Sequence, residues 1–323
     1  MPEDLDVLVL RTGTHGTPVE EYAAAIRDRL PDTPVRLART PAEEREAIRE
    51  AWFVTGMDLD ESLLAVAENL EVFACAYAGT GHLPLDALDE RGVTVTNASG
   101  VHGPNMGEHV LGAILAFTRR FHVGARRQRR REWRHYRAHE LQDSTVTVVG
   151  LGAIGRSVCE RLDPFGVETI GVRHSPEKGG PADEVFGYDD DLHEAFARTD
   201  YLVLTCPLTD ETRGLVDAEA LVTLPPEAVL VNVARGPVVD TDALVDALRR
   251  NRLRGASLDV TDPEPLPEEH PLWTFENVQL TPHNAGHTPE YYERLADVVA
   301  GNVRRIEESD SFEGLDNQVL PRT

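Results

Sequence analysis

The sequence is almost without lysine. Lys178 is the single lysine among 323 residues, and arginine carries the basic side. Lys+Arg total 32 against 56 Asp+Glu, a formal net charge of −24. So little positive charge disfavours nucleic acid as the main partner, because phosphate binding runs on neutralisation by Lys and Arg. Cysteine is also scarce. Cys75, Cys159 and Cys206 are far apart and make no C-x-x-C pair, which excludes a disulfide framework and a zinc knuckle and fits a cytoplasm. No apolar run is long enough to span a bilayer. The start, MPEDLDVLVL, is acidic, lacks the positive region of a secretory leader and reads as a first strand. There is no internal repeat and no low-complexity segment. No His/Asp/Glu set has metal-ligand spacing, so no metal is expected.

The acid excess carries its own implication. A surface this acidic repels itself at low salt and weakens the compact state. At molar salt the screening length falls to about 3 Å and the repulsion is quenched. The composition points to a salt-rich cytoplasm, as in extremely halophilic archaea. A GC-rich genome would also exchange Lys for Arg, but it does not account for the excess of acid.

What is present is an alternation. Hydrophobic content is 41%, ordinary for a globular chain, and the length suffices for two domains with real cores. Short buried strands are expected at Asp6–Leu10, Val35–Ala38, Trp52–Thr55, Val72–Ala76 and Val93–Thr96, with amphipathic stretches such as Val19–Leu30 and Leu59–Asn69 between them. The spacing then predicts one long helix over Asn105–Arg131, capped by Pro104-Asn105. Strands resume at Thr145–Val149, Thr169–Val172, Tyr201–Leu204, Val229–Val233, Ala256–Asp259 and Val278–Leu280. Six strands with intervening helices fit the two mononucleotide halves of a doubly wound, parallel-sheet Rossmann domain. A closing helix, Pro289–Glu308, is expected to pack back on the first domain. The expected division is therefore a discontinuous domain of 1–101 plus 289–323, and a domain of 102–288.

At the first turn of the second half stands Gly150-Leu151-Gly152-Ala153-Ile154-Gly155. A lone G-x-G-x-x-G says little; following a strand and opening a helix, it marks a dinucleotide site. The first glycine allows a tight turn, the second admits a pyrophosphate to the backbone, and the third lets helix and strand close up. A carboxylate near the end of the second strand ordinarily binds the ribose 2′-OH of NAD. Here Arg173 and His174 stand in that place. An arginine can fork onto a 2′-phosphate, so NADPH is expected to be preferred, with NADH possible.

Three further segments end predicted strands: Val231–Gly236, Leu258–Pro265 and Leu280–Gly286. Ligands of open α/β sheets bind outside the carboxyl ends of the strands, so Arg235, Glu264 and His283 are expected at one crevice. Reducing a 2-oxo acid needs these three groups. A guanidinium clamps the carboxylate and polarises the carbonyl. A histidine delivers the proton. A carboxylate beside it favours and orients the protonated ring.

With these residues assembled, the sequence resembles the D-isomer-specific 2-hydroxyacid dehydrogenase family along nearly its whole length. The markers are Gly150–Gly155, Cys206-Pro207-Leu208-Thr209 with Thr212, Asn232–Gly236, Leu258–Pro265 and Thr281–Gly286. The resemblance implies Arg235, Glu264 and His283 as the catalytic set. It implies a flavodoxin-like substrate domain whose loop at Tyr77, Ala78 and Gly79 binds the substrate carboxylate through main-chain amides. It implies cofactor contacts around Gly150, Gly152, Ile154, Gly155, Arg173, His174, Cys206, Pro207, Val233 and Gly286, with Asp259 holding the nicotinamide carboxamide. Substrate is expected between the domains. The chain departs from the family at His82-Leu83-Pro84, where an acidic, asparagine-like run is usual, and at Asn284, where an apolar residue is common.

The run Arg126-Arg127-Gln128-Arg129-Arg130-Arg131, continued by Trp133, Arg134, Tyr136 and Arg137, reads as a subunit interface rather than a nucleic-acid surface. In the family the long helix helps to form a homodimer, so 105–131 is the expected contact. The reaction expected is reversible reduction of 2-oxo carboxylic acids to D-2-hydroxy acids. The lack of a basic cluster in the first domain points to a small or branched apolar side chain. The alternative is a nucleotide-sensing regulator of the C-terminal-binding-protein corepressor type, which shares fold and trio but would need a docking groove or a tail beyond Leu315–Thr323. Formate dehydrogenase is a weaker rival, since it usually has glutamine where Glu264 stands.

Overall fold

The computed structural model describes residues 6–14 and 16–321. The reading of Met1–Leu5 as part of a non-secretory N-terminus lies outside the described residues, as do Arg322 and Thr323 of the C-terminal stretch. The chain divides into two compact units, Met1–Val101 with His287–Thr323, and His102–Gly286. The return to the first unit thus falls at His287 rather than at Pro289.

The first unit opens with five parallel strands, β1 (Val7–Val9), β2 (Val35–Leu37), β3 (Phe53–Gly56), β4 (Val72–Cys75) and β5 (Thr94–Thr96), in the spatial order β2-β1-β3-β4-β5. That is the flavodoxin-like order. Both faces of the sheet are covered, so the central strands β1, β3 and β4 are mostly apolar and successive residues enter opposite cores. Val7 and Val9 pack with Phe53 and Val72 on one face; Leu8 packs with Val54 and Phe73 on the other.

The second unit holds a seven-stranded, all-parallel sheet: β6 (Thr145–Val149), β7 (Glu168–Val172), β8 (Glu184–Phe186), β9 (Tyr201–Leu204), β10 (Val229–Asn232), β11 (Gly255–Leu258) and β12 (Val278–Leu280). The order β8-β7-β6-β9-β10-β11-β12 is the 3-2-1-4-5-6 arrangement with one strand added at its far edge. The expected six strands are corrected to seven. The one missed, β8, is three residues long and half exposed, and exists by pairing with β7 rather than by its own apolar pattern.

A second correction concerns the long helix. It begins at Gly103, with Pro104 inside its first turn, and stops at Thr118; a separate helix runs from Phe121 to Arg129. The Thr118 hydroxyl bonds back to the Ile114 carbonyl at 2.8 Å and meets the Tyr201 hydroxyl at 2.6 Å. Arg120 then takes a left-handed conformation, φ 53°, which starts a new helix direction. The helix Gly103–Thr118 packs on the helix Ala153–Leu162, close enough that a side chain at Gly107 would meet Arg161.

The last helix is Tyr291–Ser309, and it lies in the core of the first unit against the helix Val19–Arg29. Tyr22 and Tyr292 stack at 5.0 Å, and Arg29 pairs with Glu293 at 3.0 Å and Asp297 at 2.5 Å. Beyond it β13 (Gln318–Leu320) joins the edge of the first sheet, antiparallel to β5, so that sheet is mixed at one edge. Among the described residues no helix is long and apolar enough to cross a membrane.

Candidate active site

The turn after β6 shows what each glycine does. Gly150 has φ 100°, and a Cβ there would lie 2.6 Å from the Cys206 amide nitrogen. A Cβ on Gly155 would fall 1.9 Å from the Gly150 carbonyl oxygen. These two glycines let strand, turn and helix close on each other. Gly152 is different: nothing lies within 4 Å of its Cβ position. It is the N-cap of the helix Ala153–Leu162 and offers no side chain to the helix amides. Free amides facing open space are a ready anion site. The Thr205 hydroxyl steadies the turn by donating to the Gly150 carbonyl at 2.7 Å.

The chemistry-bearing side chains leave three adjacent strands, β10, β11 and β12, at their carboxyl ends. After β10, Asn232 ties the turn: its Nδ2 donates to the Arg235 carbonyl at 3.2 Å and its Oδ1 accepts from the Ala234 amide at 3.0 Å. Gly236 then packs directly on the segment after β11, where a Cβ would meet the Thr261 carbonyl. After β12, His283 sits at φ 51°, and its Nδ1 lies 2.7 Å from Oε1 of Glu264. Both side chains remain accessible, at 50% and 39%. A cavity of about 450 Å³ opens there, with Thr261, Leu266, Trp273 and Leu280 on its walls beside Glu264 and His283. Arg235 does not share this contact. It is exposed, and its Nη1 donates to the Ala234 carbonyl at 2.7 Å.

Asp259 is almost fully buried, at 3%. Its Oδ1 accepts from the Thr281 hydroxyl at 2.5 Å and the Asn284 amide at 2.8 Å, and its Oδ2 from the Ala285 amide at 2.9 Å.

A model of the D-isomer specific 2-hydroxyacid dehydrogenase NAD-binding domain matches residues 111–285. A glyoxylate reductase of Thermofilum pendens is 37% identical over 76% of this chain and 74% of its own length. A D-3-phosphoglycerate dehydrogenase of Methanocaldococcus jannaschii is 31% identical over 93% of this chain, which spans only 58% of that longer protein. A crystal structure of a D-isomer specific 2-hydroxyacid dehydrogenase from Xanthobacter autotrophicus Py2, in complex with NADPH and MES, is 30% identical, covers 98% of both chains and superposes with a TM-score of 0.79. The chain belongs to the D-isomer specific 2-hydroxyacid dehydrogenase family. It is an NAD(P)-dependent oxidoreductase of that family.

In this 2-hydroxyacid dehydrogenase the remaining expected residues fall as follows. Ile154 lies in the first turn of the glycine-capped helix. Cys206, followed by Pro207, and Val233 follow β9 and β10 and are buried in the sheet's carboxyl edge at 2% and 4%. Burial pushes the Cys206 thiol up to about 11. Gly286 closes the segment after β12, its Cβ position against the His102 ring. Arg173 and His174 follow β7. Arg173 folds over the next turn and its Nη1 reaches the Gly179 carbonyl at 2.5 Å; His174 Nδ1 lies 3.2 Å from Oε2 of Glu211.

In the first unit, Tyr77, Ala78 and Gly79 form the exposed loop after β4. The Tyr77 carbonyl accepts from the Ala98 amide at 3.1 Å and the Ala78 carbonyl from Asn97 Nδ2 at 2.7 Å. Tyr291 holds the base of the loop through the Ala76 carbonyl. His82 anchors its far side, with Nε2 on the Met57 carbonyl at 2.8 Å and its ring edge-on to Tyr77.

The arginine run is half helix and half extended chain. Arg126 pairs with Glu276, and Arg127 stacks 5.3 Å from the Tyr136 ring while donating to the carbonyls of Arg134 and His135. Trp133 beside it is wholly exposed. Among the described residues no group of three or more His, Cys, Asp or Glu could hold a metal ion.

Asn232, Thr205 and Thr281 are working residues that the sequence motifs alone do not mark as such. Each is a short polar side chain at a strand's carboxyl end or one position past it, where such groups bond to turn backbone. That position was the available sign.

Proposed function

We propose that this enzyme reduces a 2-oxo carboxylic acid to the D-2-hydroxy acid, reversibly, with NADPH preferred over NADH and with Arg235, Glu264 and His283 as its catalytic residues. The observation that carries the reading is the 2.7 Å contact of His283 Nδ1 with Glu264, at accessible side chains on the strand edge that also bears the glycine turn. The open space at Gly152 and the uncapped helix fit a dinucleotide pyrophosphate. When bound, the reduced nicotinamide supplies the hydride. Cofactor contacts are assigned to Gly150, Gly152, Ile154, Gly155, Cys206, Pro207, Val233 and Gly286, and the 2′-phosphate to Arg173 and His174.

Glu264 fixes the ring by holding Nδ1–H, so that Nε2 is the nitrogen that presents a proton. As the substrate carbonyl carbon is reduced, its oxygen takes that proton, and the carboxylate on Nδ1 keeps the ring oriented for the transfer. Arg235 stays charged throughout and polarises the carbonyl. The exposed Tyr77–Gly79 loop is assigned the substrate carboxylate. Its first two carbonyls are occupied internally and the Tyr77 amide donates to Cys75 Sγ at 3.4 Å, so the Ala78 and Gly79 amides are the binding groups assigned to it. A small or branched apolar substrate side chain fits the apolar walls at Leu266, Trp273 and Leu280. Self-association is assigned to 105–131, where Phe121 is 59% exposed. A reducing, salt-rich cytoplasm suits an acidic chain whose cysteines are all free and buried.

The test is a panel of 2-oxo acids, from glyoxylate to branched-chain examples, assayed with NADPH and NADH in high salt. We expect turnover favouring NADPH, an Arg173→Asp variant that reverses the preference, loss of turnover in His283→Ala, and raised KM with reduced kcat in Arg235→Ala. NADPH binding without consumption of any acid would favour the nucleotide-sensing regulator instead. A wild-type preference for NADH would end the cofactor assignment.

A further inference from the structure

We propose that Asp259 and Thr281 form a latch that sets the direction of the His283 imidazole, making both positioning residues of the reaction. The proposal rests on the reading of His283 as proton donor.

His283 occupies a left-handed conformation, φ 51°, that non-glycine residues seldom adopt and that persists only where the surroundings over-determine it. The surroundings here converge on one residue. Besides the three donors to its carboxylate, the Asp259 main-chain carbonyl accepts the His283 amide at 2.8 Å. Asp259 therefore binds the chain at Thr281, His283, Asn284 and Ala285, on both sides of the strained residue. The sheet makes this possible. Leu258 of β11 pairs in register with Leu280 of β12, so Asp259 and Thr281 leave the two strands side by side.

The chemistry demands a carboxylate. Only an acceptor on both oxygens can take a hydroxyl and two amides at once. Asparagine, of the same shape, would turn an NH2 toward one of those donors and leave the group unsatisfied in a buried place. Thr281 adds the hydroxyl that fills Oδ1 next to the Asn284 amide. With the turn held, the imidazole stands within 2.7 Å of Glu264. Released, the backbone of His283 no longer aims the ring at that carboxylate. Three internal donors fill most of the carboxylate and account for the burial of Asp259, and the carboxamide role implied by resemblance would add a fourth donor at Oδ2.

The experiment compares Asp259→Asn, Thr281→Val and Thr281→Ser, assayed at saturating NADPH with the fastest acid of the panel. NADPH affinity is measured separately by nicotinamide fluorescence. We expect kcat to fall on the order of 100-fold in Asp259→Asn, the scale of a displaced reacting group, with NADPH affinity unchanged. Thr281→Val should fall in the same direction and Thr281→Ser, which keeps the hydroxyl, should recover. Glu264→Gln should lower kcat in the same direction, and combining Glu264→Gln with Thr281→Val should lower it no further, because both act through the same contact on Nδ1. Weakened NADPH binding with kcat retained in Asp259→Asn would return that residue to the carboxamide. A kcat retained in Thr281→Val, or a double variant with Glu264→Gln whose losses simply multiply, with His283→Gln inactive, overturns the latch alone; an active His283→Gln overturns the proton-donor reading itself. Should Asp259→Asn fail to fold, the two Thr281 variants decide the matter.

Discussion

His122 shows how burial and neighbouring charge add on one side chain. Its ring lies beside Phe117, 5.2 Å between centroids, and is held below the ordinary histidine value first by burial, then by Arg126 and Arg120. A depressed histidine contributes stability that is fully present above its unfolded pKa, about 6.5, and is lost as pH falls through that value toward the folded one. The unfolded chain takes up the proton first. We expect the urea midpoint to drop less between about pH 7.5 and pH 5.5 in His122→Gln than in the wild type. Equal drops would show that the ring titrates alike in both states. His139, lowered chiefly by burial as well, should account for part of what remains. Neither shift is legible from sequence, since a histidine on a basic helix and one in a polar loop look alike until the neighbours are placed.

At the scale of elements, the strand–turn–helix at Gly150–Leu162 separates two roles that one motif combines. Gly155 is required by packing, whereas the Cβ position of Gly152 faces open space. We expect Gly155→Ala to destabilise the fold by about 1–3 kcal/mol, the usual cost of forcing a methyl into a filled contact, seen as a lowered denaturation midpoint. Gly152→Val should leave that midpoint near the wild type yet weaken NADPH binding at least tenfold by fluorescence titration. A Gly152→Val protein that binds normally would remove the pyrophosphate from this turn. The glycine spacing was readable because it encodes both demands at once. The break at Thr118–Arg120 was not, because A-F-T-R-R-F contains neither glycine nor proline; the tertiary bond from Thr118 to Tyr201 marks the end. Strands β8 and β13 escaped for a related reason. Each is three residues long and owes its conformation to an edge of a sheet built elsewhere in the chain.

For the whole molecule the dominant quantity is charge. A net −24 spread over 323 residues opposes compaction at low salt, and counter-ions relieve it. Raising KCl from about 0.1 M to about 3 M shortens the screening length from about 10 Å to below 3 Å, so the melting temperature should rise markedly and monotonically. A flat or falling dependence would remove the salt-rich cytoplasm from this account. The arginine run bears on the same question. Seven arginines lie from Arg126 to Arg137 in a chain otherwise rich in acid, and two of them are held internally, Arg126 by Glu276 and Arg127 by Tyr136 and main-chain carbonyls.

Fold class was legible from local pattern, because strand–helix alternation and apolar strands are consequences of burying a parallel sheet on both faces. The presence of arginine, glutamate and histidine at three strand ends was legible too. Tertiary structure alone decided how those groups are held. The left-handed turn at His283, the Asp259 carboxylate bound from β12's far end, and the pairing of Nδ1 with Glu264 all join residues brought together by adjacent strands. Local patterns record which face of an element is buried. They do not record which polar atoms meet across two strands, because that depends on register and on a hydrogen bond only a few tenths of an ångström wide in tolerance.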